Sequence, residues 1–247
     1  MSIINKNMER KDFSVVVPAY NESKNISLIL DRFKEVKGNI NLEVVLVNNG
    51  STDNSKEIIG SKLKKNDYSF VKVISIPKNI GYGHGIMQGL INCNGKIIGY
   101  THGDMQCDPY DAIKAYKIIS KTSNQKKCLV RGWRRKRKLI PGILAYCYQT
   151  IATIIFMKKF KEINAQPKIF HKDFLDKLVS PPLDTNLDFY ILYTAKKEKM
   201  NIINFKVNFP DRKHGKSKVF FSFNSKVKTI SNFFKYLILL RFLKEKK

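Results

Sequence analysis

Short apolar runs and amphipathic stretches take turns along the first 120 residues. Phe13–Val17, Glu43–Val47, Val71–Ile76 and Lys96–Tyr100 are compact runs rich in Val and Ile, of strand length and bounded by polar or turn-forming residues. Between them, Ser23–Lys37, the stretch from Ser51-Thr52-Asp53 to about Lys65, and the stretch from a Gly-rich turn to Cys93 carry helical spacing, with Asn21 and Asp53 placed as caps. Continuous apolar strands alternating with helices predict an α/β fold, a mostly parallel sheet covered by helices on both faces. Ligands of such sheets bind beyond the carboxyl ends of the strands. Three polar segments fall at those ends: Pro18–Glu22, Asn48–Asp53 and Thr101–Pro109.

After Lys121 the pattern changes. Arg131–Lys138 is a basic run, and Leu139–Met157 is 19 residues without a charge. A mixed segment, a helix near Leu187–Lys199, a strand near Ile202–Val207 and a polar loop Pro210–Lys218 follow, and Asn224–Lys247 is helical, apolar and basic. The uncharged segment is nearly long enough to span a bilayer. Its residues Ile143, Leu144, Cys147, Tyr148, Ile151, Ile154 and Ile155 form one face, with Gln149, Thr150 and Thr153 off it, which predicts an interfacial or core helix instead. The tail sets Phe233, Phe234, Leu237–Leu240 and Phe242 beside Lys235, Arg241 and Lys244, the pattern of a basic amphipathic helix that lies on an anionic membrane surface or docks on the core.

Composition narrows the partners. The 247 residues carry net charge +26, with 43% hydrophobic content, enough for a real core. Of 46 basic residues 38 are Lys, so much of the charge is compositional; four of the eight Arg cluster at Arg131, Arg134, Arg135 and Arg137, and another is Arg212. Arginine forks suit phosphate. No nucleic-acid recognition motif accompanies the charge. Four cysteines without CxxC spacing predict reduced thiols of a cytosolic protein, and polar residues 1–12 predict no secretory signal.

The segment His102-Gly103-Asp104-Met105-Gln106-Cys107-Asp108-Pro109 follows the apolar run Ile97–Tyr100. Asp104 and Gln106, two apart at a strand end, can both offer oxygen to one hard cation. Gly81, Gly83 and Gly85 have GxGxG spacing after the third strand, not GxGxxG after the first, which argues against a dinucleotide loop. Close passage of backbone under a sugar or diphosphate fits them better.

Four segments in order, VVVPAYNE (Val15–Glu22), VNNGSTDNS (Val47–Ser55), NIGYGHG (Asn79–Gly85) and HGDMQCDP (His102–Pro109), resemble the inverting family 2 glycosyltransferases of the GT-A fold. FPDRKHGKSK (Phe209–Lys218) and Gly132-Trp133-Arg134 are similar to elements of the dolichyl- and polyprenyl-phosphate sugar synthases. The resemblance implies that Pro18, Tyr20 and Glu22 hold the base and ribose of a nucleotide-sugar donor, joined by Asn49, Asp53, Asn79 and Gly81. Asn48 and Asn49 replace the two acids usual before the Gly, which puts the base in doubt; Asp53 caps a helix or touches ligand. The usual Asp-x-Asp becomes His102-Gly103-Asp104. Asp104, Gln106 and His102 are then the implied metal set for Mg²⁺ or Mn²⁺, with His102 ligating, binding ribose or packing. Such an ion would stabilise the leaving nucleoside diphosphate.

A hydroxyl acceptor needs a general base, and Asp184 and Asp188 before the late helix are the candidates. A phosphate acceptor is already ionised, with its second pKa near ~6, and needs cations: Arg134, Arg212 and Lys218, with Ser217 as hydrogen-bonding partner. Asp104, Asp188 and Arg212 are thus the expected catalytic residues. The expected enzyme moves a sugar to a polyisoprenyl phosphate at the cytoplasmic face of the membrane; transfer to a glycan or glycolipid hydroxyl is the alternative, and a non-catalytic nucleotide-binding module a third. Residues 1–12 form an extension, 13–218 the transferase domain (13–120 nucleotide-sugar half, 121–218 acceptor half) and 219–247 the basic helix. The expected partners are donor, acceptor and anionic membrane, with a homodimer left open and no nucleic acid.

Overall fold

The computed structural model describes residues 11–134, 139–212 and 223–242, and the side chains among these except those of 139–145 and 223–228. Seven strands form one sheet: β1 (Phe13–Ala19), β2 (Leu42–Asn49), β3 (Val71–Ile76), β4 (Ile97–Tyr100), β5 (Cys128–Arg134), β6 (Lys168–His171) and β7 (Asn201–Val207), in spatial order β3-β2-β1-β4-β6-β5-β7. The helices are α1 (Ser23–Val36), α2 (Ser55–Leu63), α3 (Tyr82–Ile91), α4 (Pro109–Ser120), α5 (Leu139–Phe156), α6 (Leu187–Lys197) and α7 (Phe223–Phe242). β1 through β4 pair in parallel, as does β5 with β7, whereas β6 runs antiparallel to both its neighbours. Thus the sheet is continuous from the first strand to the last.

Strand alternation divides the core in two. Val16, Val45, Val47, Ile98, Tyr100, Leu129 and Phe170 point to the face covered by α3, α5, α6 and α7. Phe13, Val15, Val17, Val44, Leu46, Ile97, Val130 and Ile169 point to the face covered by α1, α2 and α4. Burial on both faces is what their unbroken apolar runs require.

Two expectations need correction, and the basic run proves to begin inside β5: Arg131 is buried, and its guanidinium donates to Asn204 Oδ1 and to the carbonyls of Glu162 and Lys161, each at 2.8 Å. It pins β5 to β7 and to the returning segment; Arg135 and Arg137 lie outside the described residues. Asn21 does not cap α1. Its φ is 54°, Glu22 takes the cap position, and the Asn21 side chain accepts from Thr52 N at 2.7 Å, joining the first loop to the second. In α5 the inward residues are Tyr148, Ile151, Ala152 and Ile155, while Cys147 and Ile154 are exposed. Gln149 and Thr153 accept from the backbone of Glu162 and Phe160. The polar residues therefore anchor the chain that returns to β6, turning the packed face from the one apolar spacing suggests.

No helix among the described residues is long and apolar enough to cross a membrane. α7 splits its apolar residues. Phe233, Leu237 and Leu240 are buried, with Phe233 stacked on Tyr148 of α5 at 4.3 Å, whereas Phe234, Leu239 and Phe242 stay exposed.

Candidate active site

The parallel strands end in three loops along one edge of the sheet. Asp53 ties two of them: one carboxylate oxygen accepts from the Ser23 backbone N–H at 3.2 Å, the other from the Ser55 N–H and hydroxyl. Burial opposes its ionisation, yet these hydrogen bonds hold it below the usual carboxylate range. Asp53, one residue before the cap position of α2, therefore clamps the two loops together. Pro18 and Tyr20 line the same edge half-buried, and the Glu22 carboxylate accepts from Asn25 Nδ2 at 2.6 Å.

Asn48 and Asn49 point inward. Asn48 Oδ1 accepts from Ser51 N, and Asn49 Nδ2 donates to Gly81 O at 3.0 Å, while Asn79 Oδ1 accepts from Gly81 N at 2.9 Å. The amide nitrogen of Asn49 can make a bond to a carbonyl that an acid could not. Its Oδ1 is buried without a hydrogen bond. The glycines permit a close approach within the chain itself. Gly81 has φ 146°, and a Cβ there would collide with the Leu183 carbonyl; one on Gly83 would meet the Pro182 carbonyl. The backbone passing so closely is residues 182–184 of this chain, which brings the start of α6 against the start of α3.

Asp104 sits in the loop that follows β4, 5% exposed, with Oδ1 accepting from Gln106 N at 3.1 Å. Its Oδ2 is 2.8 Å from a terminal guanidinium nitrogen of Arg212, whose Nε donates to Gln106 Oε1 at 3.1 Å. Gln106 Nε2 in turn donates to Pro210 O at 3.1 Å, which fixes the amide with its oxygen toward Arg212. The loop after β7 thus reaches more than a hundred residues back along the chain, to the two side chains that spacing singled out. His102 lies edge-on to Phe209, with ring centroids 5.4 Å apart. Burial outweighs the pull of Asp104 and pushes its pKa down to about 4, so the ring is neutral, and Nε2 is buried without a hydrogen bond.

Arg134, at the end of β5, stacks its guanidinium 3.8 Å from the centroid of Phe209 and donates to Asn164 O at 2.7 Å. Arg134, stacked on Phe209, and Arg212, paired with Asp104, therefore both lie at the sheet edge where β4, β5 and β7 end. Ser217 and Lys218 lie outside the described residues.

The two base candidates differ. Asp184 is exposed and caps the approach to α6, both oxygens accepting from Asn186. Asp188 is 4% exposed and paired with the fully buried Lys168, and it also accepts from Tyr100 at 2.8 Å and Tyr82 at 3.2 Å. Burial alone would raise its pKa; Lys168 and the Tyr100 hydroxyl outweigh it and hold the carboxyl below its ordinary range. Burial raises both phenols, so each stays protonated and donates. A carboxylate so engaged is a poor proton acceptor, which counts against Asp188 as general base. Sequence reasoning passed over Lys168, Tyr82, Gln166 and Phe209. Gln166 donates to the Tyr82 hydroxyl. Lys168 carried a signal, a lysine inside the apolar run Lys168–Phe170, but β6 is too short to stand out.

Among the described residues no three His, Cys, Asp or Glu side chains converge as a metal cluster. Asp104 and the Gln106 amide still offer two oxygens, and His102 a neutral, unpartnered buried nitrogen. A divalent ion that takes the rest of its shell from phosphate and water needs no more from the protein, so these residues fit one.

Comparison with known proteins agrees with this geometry. The sequence model of Glycosyl transferase family 2 matches residues 14–163, more than half of the chain. A dolichyl-phosphate beta-glucosyltransferase of Dictyostelium discoideum is 25% identical over 80% of this chain and 66% of its own length. Its namesake in Saccharomyces cerevisiae is 28% identical over 76% and 64%. The chain thus spans just under two thirds of these relatives. Among solved structures, glucosyl-3-phosphoglycerate synthase of Mycobacterium tuberculosis with Mn²⁺ and UDP superposes with TM-score 0.71 at 14% identity, covering 94% of this chain and 80% of that one. A Pyrobaculum calidifontis mannosyltransferase with GDP-Man and Mn²⁺ gives TM-score 0.60 at 20% identity over 84% and 59%. At these identities the likeness is one of fold. With the sheet, the loop order and the family match in agreement, this chain belongs to glycosyl transferase family 2 and has the GT-A fold.

Proposed function

We propose that this protein transfers a sugar, with inversion, from a nucleotide-sugar donor to a polyprenyl phosphate. The observation that carries this reading is a pair of guanidinium groups at the sheet edge of Asp104, Arg134 stacked on Phe209 and Arg212 paired with Asp104, while the buried Asp188 is already engaged by Lys168. A phosphate oxygen attacks the anomeric carbon without giving up a proton, so cations must hold it and no carboxylate need accept one. The curated relatives named for transfer to dolichyl phosphate, and a Pseudomonas savastanoi relative named undecaprenyl-phosphate 4-deoxy-4-formamido-L-arabinose transferase (30% identical over 51% of this chain), support the acceptor class.

Asp104 and Gln106, with His102 beside them, would hold Mg²⁺ or Mn²⁺, which neutralises charge on the departing diphosphate. Pro18, Tyr20 and Glu22 face the base and ribose, and Asn49, Asn79, Gly81 and Asp53 set the loops around them. The exposed apolar residues of α7, in a chain of net charge +26, support attachment to the cytoplasmic face of an anionic membrane, where the lipid acceptor resides.

The test is a panel of UDP-, GDP- and other nucleotide sugars, assayed for nucleoside diphosphate release with Mn²⁺ or Mg²⁺, with and without polyprenyl phosphate. Release from one donor that polyprenyl phosphate stimulates and Asp104→Ala abolishes supports the proposal. Stimulation only by hydroxyl acceptors would replace it with the glycan reading, for which Asp184 is the accessible carboxylate.

A further inference from the structure

Arg212 makes an unusual choice of partners. Its guanidinium bonds Asp104 Oδ2 at 2.8 Å and Gln106 Oε1 at 3.1 Å, the same two oxygens that fit a divalent ion. We propose that Arg212 is an internal stand-in for that ion: arginine and metal exchange at the Asp104–Gln106 pair, and metal entry releases Arg212 toward the acceptor phosphate. This rests on the reading of Asp104 and Gln106 as the metal-holding pair.

Several features make the cup one that two cations share in turn. Gln106 is oriented before any ligand arrives, because its Nε2 is held by Pro210 O, and Asp104 Oδ1 is held by the Gln106 backbone N–H. The remaining oxygens are therefore aimed at whatever cation sits between them. The guanidinium balances the charge of an aspartate that is almost wholly buried, which would otherwise be costly to leave unpaired. A divalent ion at bonding distance from both oxygens cannot coexist with a guanidinium at 2.8–3.1 Å from the same atoms, since like charges that close repel strongly. Arg212 also has a way out: its side chain is 25% exposed, and it stands on a loop five residues past the end of β7. The neighbouring Arg134 is fixed on Phe209 and Asn164 instead, so of these two arginines it is Arg212 whose partner the metal would take.

Exchange has a functional consequence. Without metal, Arg212 is committed to Asp104 and is not available to phosphate. With metal, the arginine is set free as the donor site is completed, so acceptor binding follows loading of the donor side. Linkage makes the effect reciprocal, and an anion that holds Arg212 raises metal affinity by the same factor.

The experiment titrates the full chain with Mn²⁺, reading free ion by electron paramagnetic resonance, with neither nucleotide nor lipid present. Arg212→Ala is expected to bind Mn²⁺ at least tenfold more tightly than wild type, and Asp104→Asn to lose binding in both backgrounds. Affinity in Arg212→Ala equal to or weaker than wild type, or no binding by either protein, overturns the proposal. Wild-type protein supplies an independent reading should the variant not fold. Limited trypsin digestion followed by mass spectrometry is expected to cut after Arg212 several-fold faster with Mn²⁺, and an unchanged rate contradicts exchange. Intact exchange with no sugar transfer to polyprenyl phosphate would sink the acceptor assignment alone; transfer without exchange would sink only this inference.

Discussion

Lys168 and Asp188 form an ion pair in the protein interior, the lysine fully buried and the aspartate 4% exposed, across the gap between the start of β6 and the first turn of α6. Tyr100 at the end of β4 and Tyr82 at the start of α3 complete the pair by donating to the same carboxylate. Four elements therefore meet on one buried charge beneath the candidate site, which makes the cluster a support for the site and leaves little proton affinity for base chemistry.

That arrangement predicts a sharp asymmetry between single and double variants. Asp188→Asn strands the Lys168 charge and is expected to cost about 3–5 kcal/mol of unfolding free energy. Lys168→Met combined with Asp188→Leu removes both charges and should recover much of the loss. Urea denaturation of the set measures it; two losses that simply add would show that the charges do not interact.

Asp53 predicts an acid-sensitive loop clamp. Its folded pKa lies below its unfolded value near ~3.9, so its contribution is present above that value and is lost as pH falls through the folded pKa. Asp53→Ala should cost about 1–2 kcal/mol at pH 7, and the difference from wild type should shrink as the pH is lowered below ~4. Melting temperatures across pH 3–7 report it, and a constant difference would rule out the clamp.

Phe209 holds two site residues at once, under Arg134 and against His102. Phe209→Ala is expected to raise the KM for the phosphate acceptor by about tenfold, the loss of one desolvated cation–π contact together with ordering of Arg134. The melting transition should stay cooperative and the donor KM nearly unchanged. A rise in donor KM alone would place Phe209 on the wrong side of the reaction.

Phe234 and Phe242 are 47% and 60% exposed on a helix whose opposite residues are docked. Phe234→Ser with Phe242→Ser should weaken co-sedimentation with vesicles containing anionic lipid by about tenfold or more, given the apolar area lost. The folded core should be untouched. Equal sedimentation of variant and wild type would mean that charge alone, or another surface, carries any attachment.

Much of the fold was legible because its signals are local. β1 through β4 and the helices between them follow from apolar runs such as Val44–Val47, and from polar loops such as Pro18–Glu22 and Asn48–Asp53 at strand ends. The metal-fitting pair was legible too, since Asp104 and Gln106 are two apart. What escaped depends on contacts distant in sequence. β6 has four residues and gains its identity only by pairing antiparallel between β4 and β5. Arg131 reads as one of four clustered arginines, and it is its bonds to Asn204 and to the carbonyls of Lys161 and Glu162 that make it structural. The glycines at 81 and 83 announce a close approach without saying that the approaching backbone is Pro182–Asp184. Asp188 reads as a base until Lys168, with no motif of its own, is placed against it.

The central claim is that the acceptor atom is a phosphate oxygen that needs no base. The most direct measurement supplies the donor selected by the nucleotide-sugar panel, labelled in its sugar, together with polyprenyl phosphate or the matching polyprenol, and follows label into the organic phase. The account predicts label on the phosphate lipid alone, released by mild acid as expected of a sugar phosphodiester, with Asp184→Asn as active as wild type. Label on the free alcohol, abolished by Asp184→Asn, would contradict it.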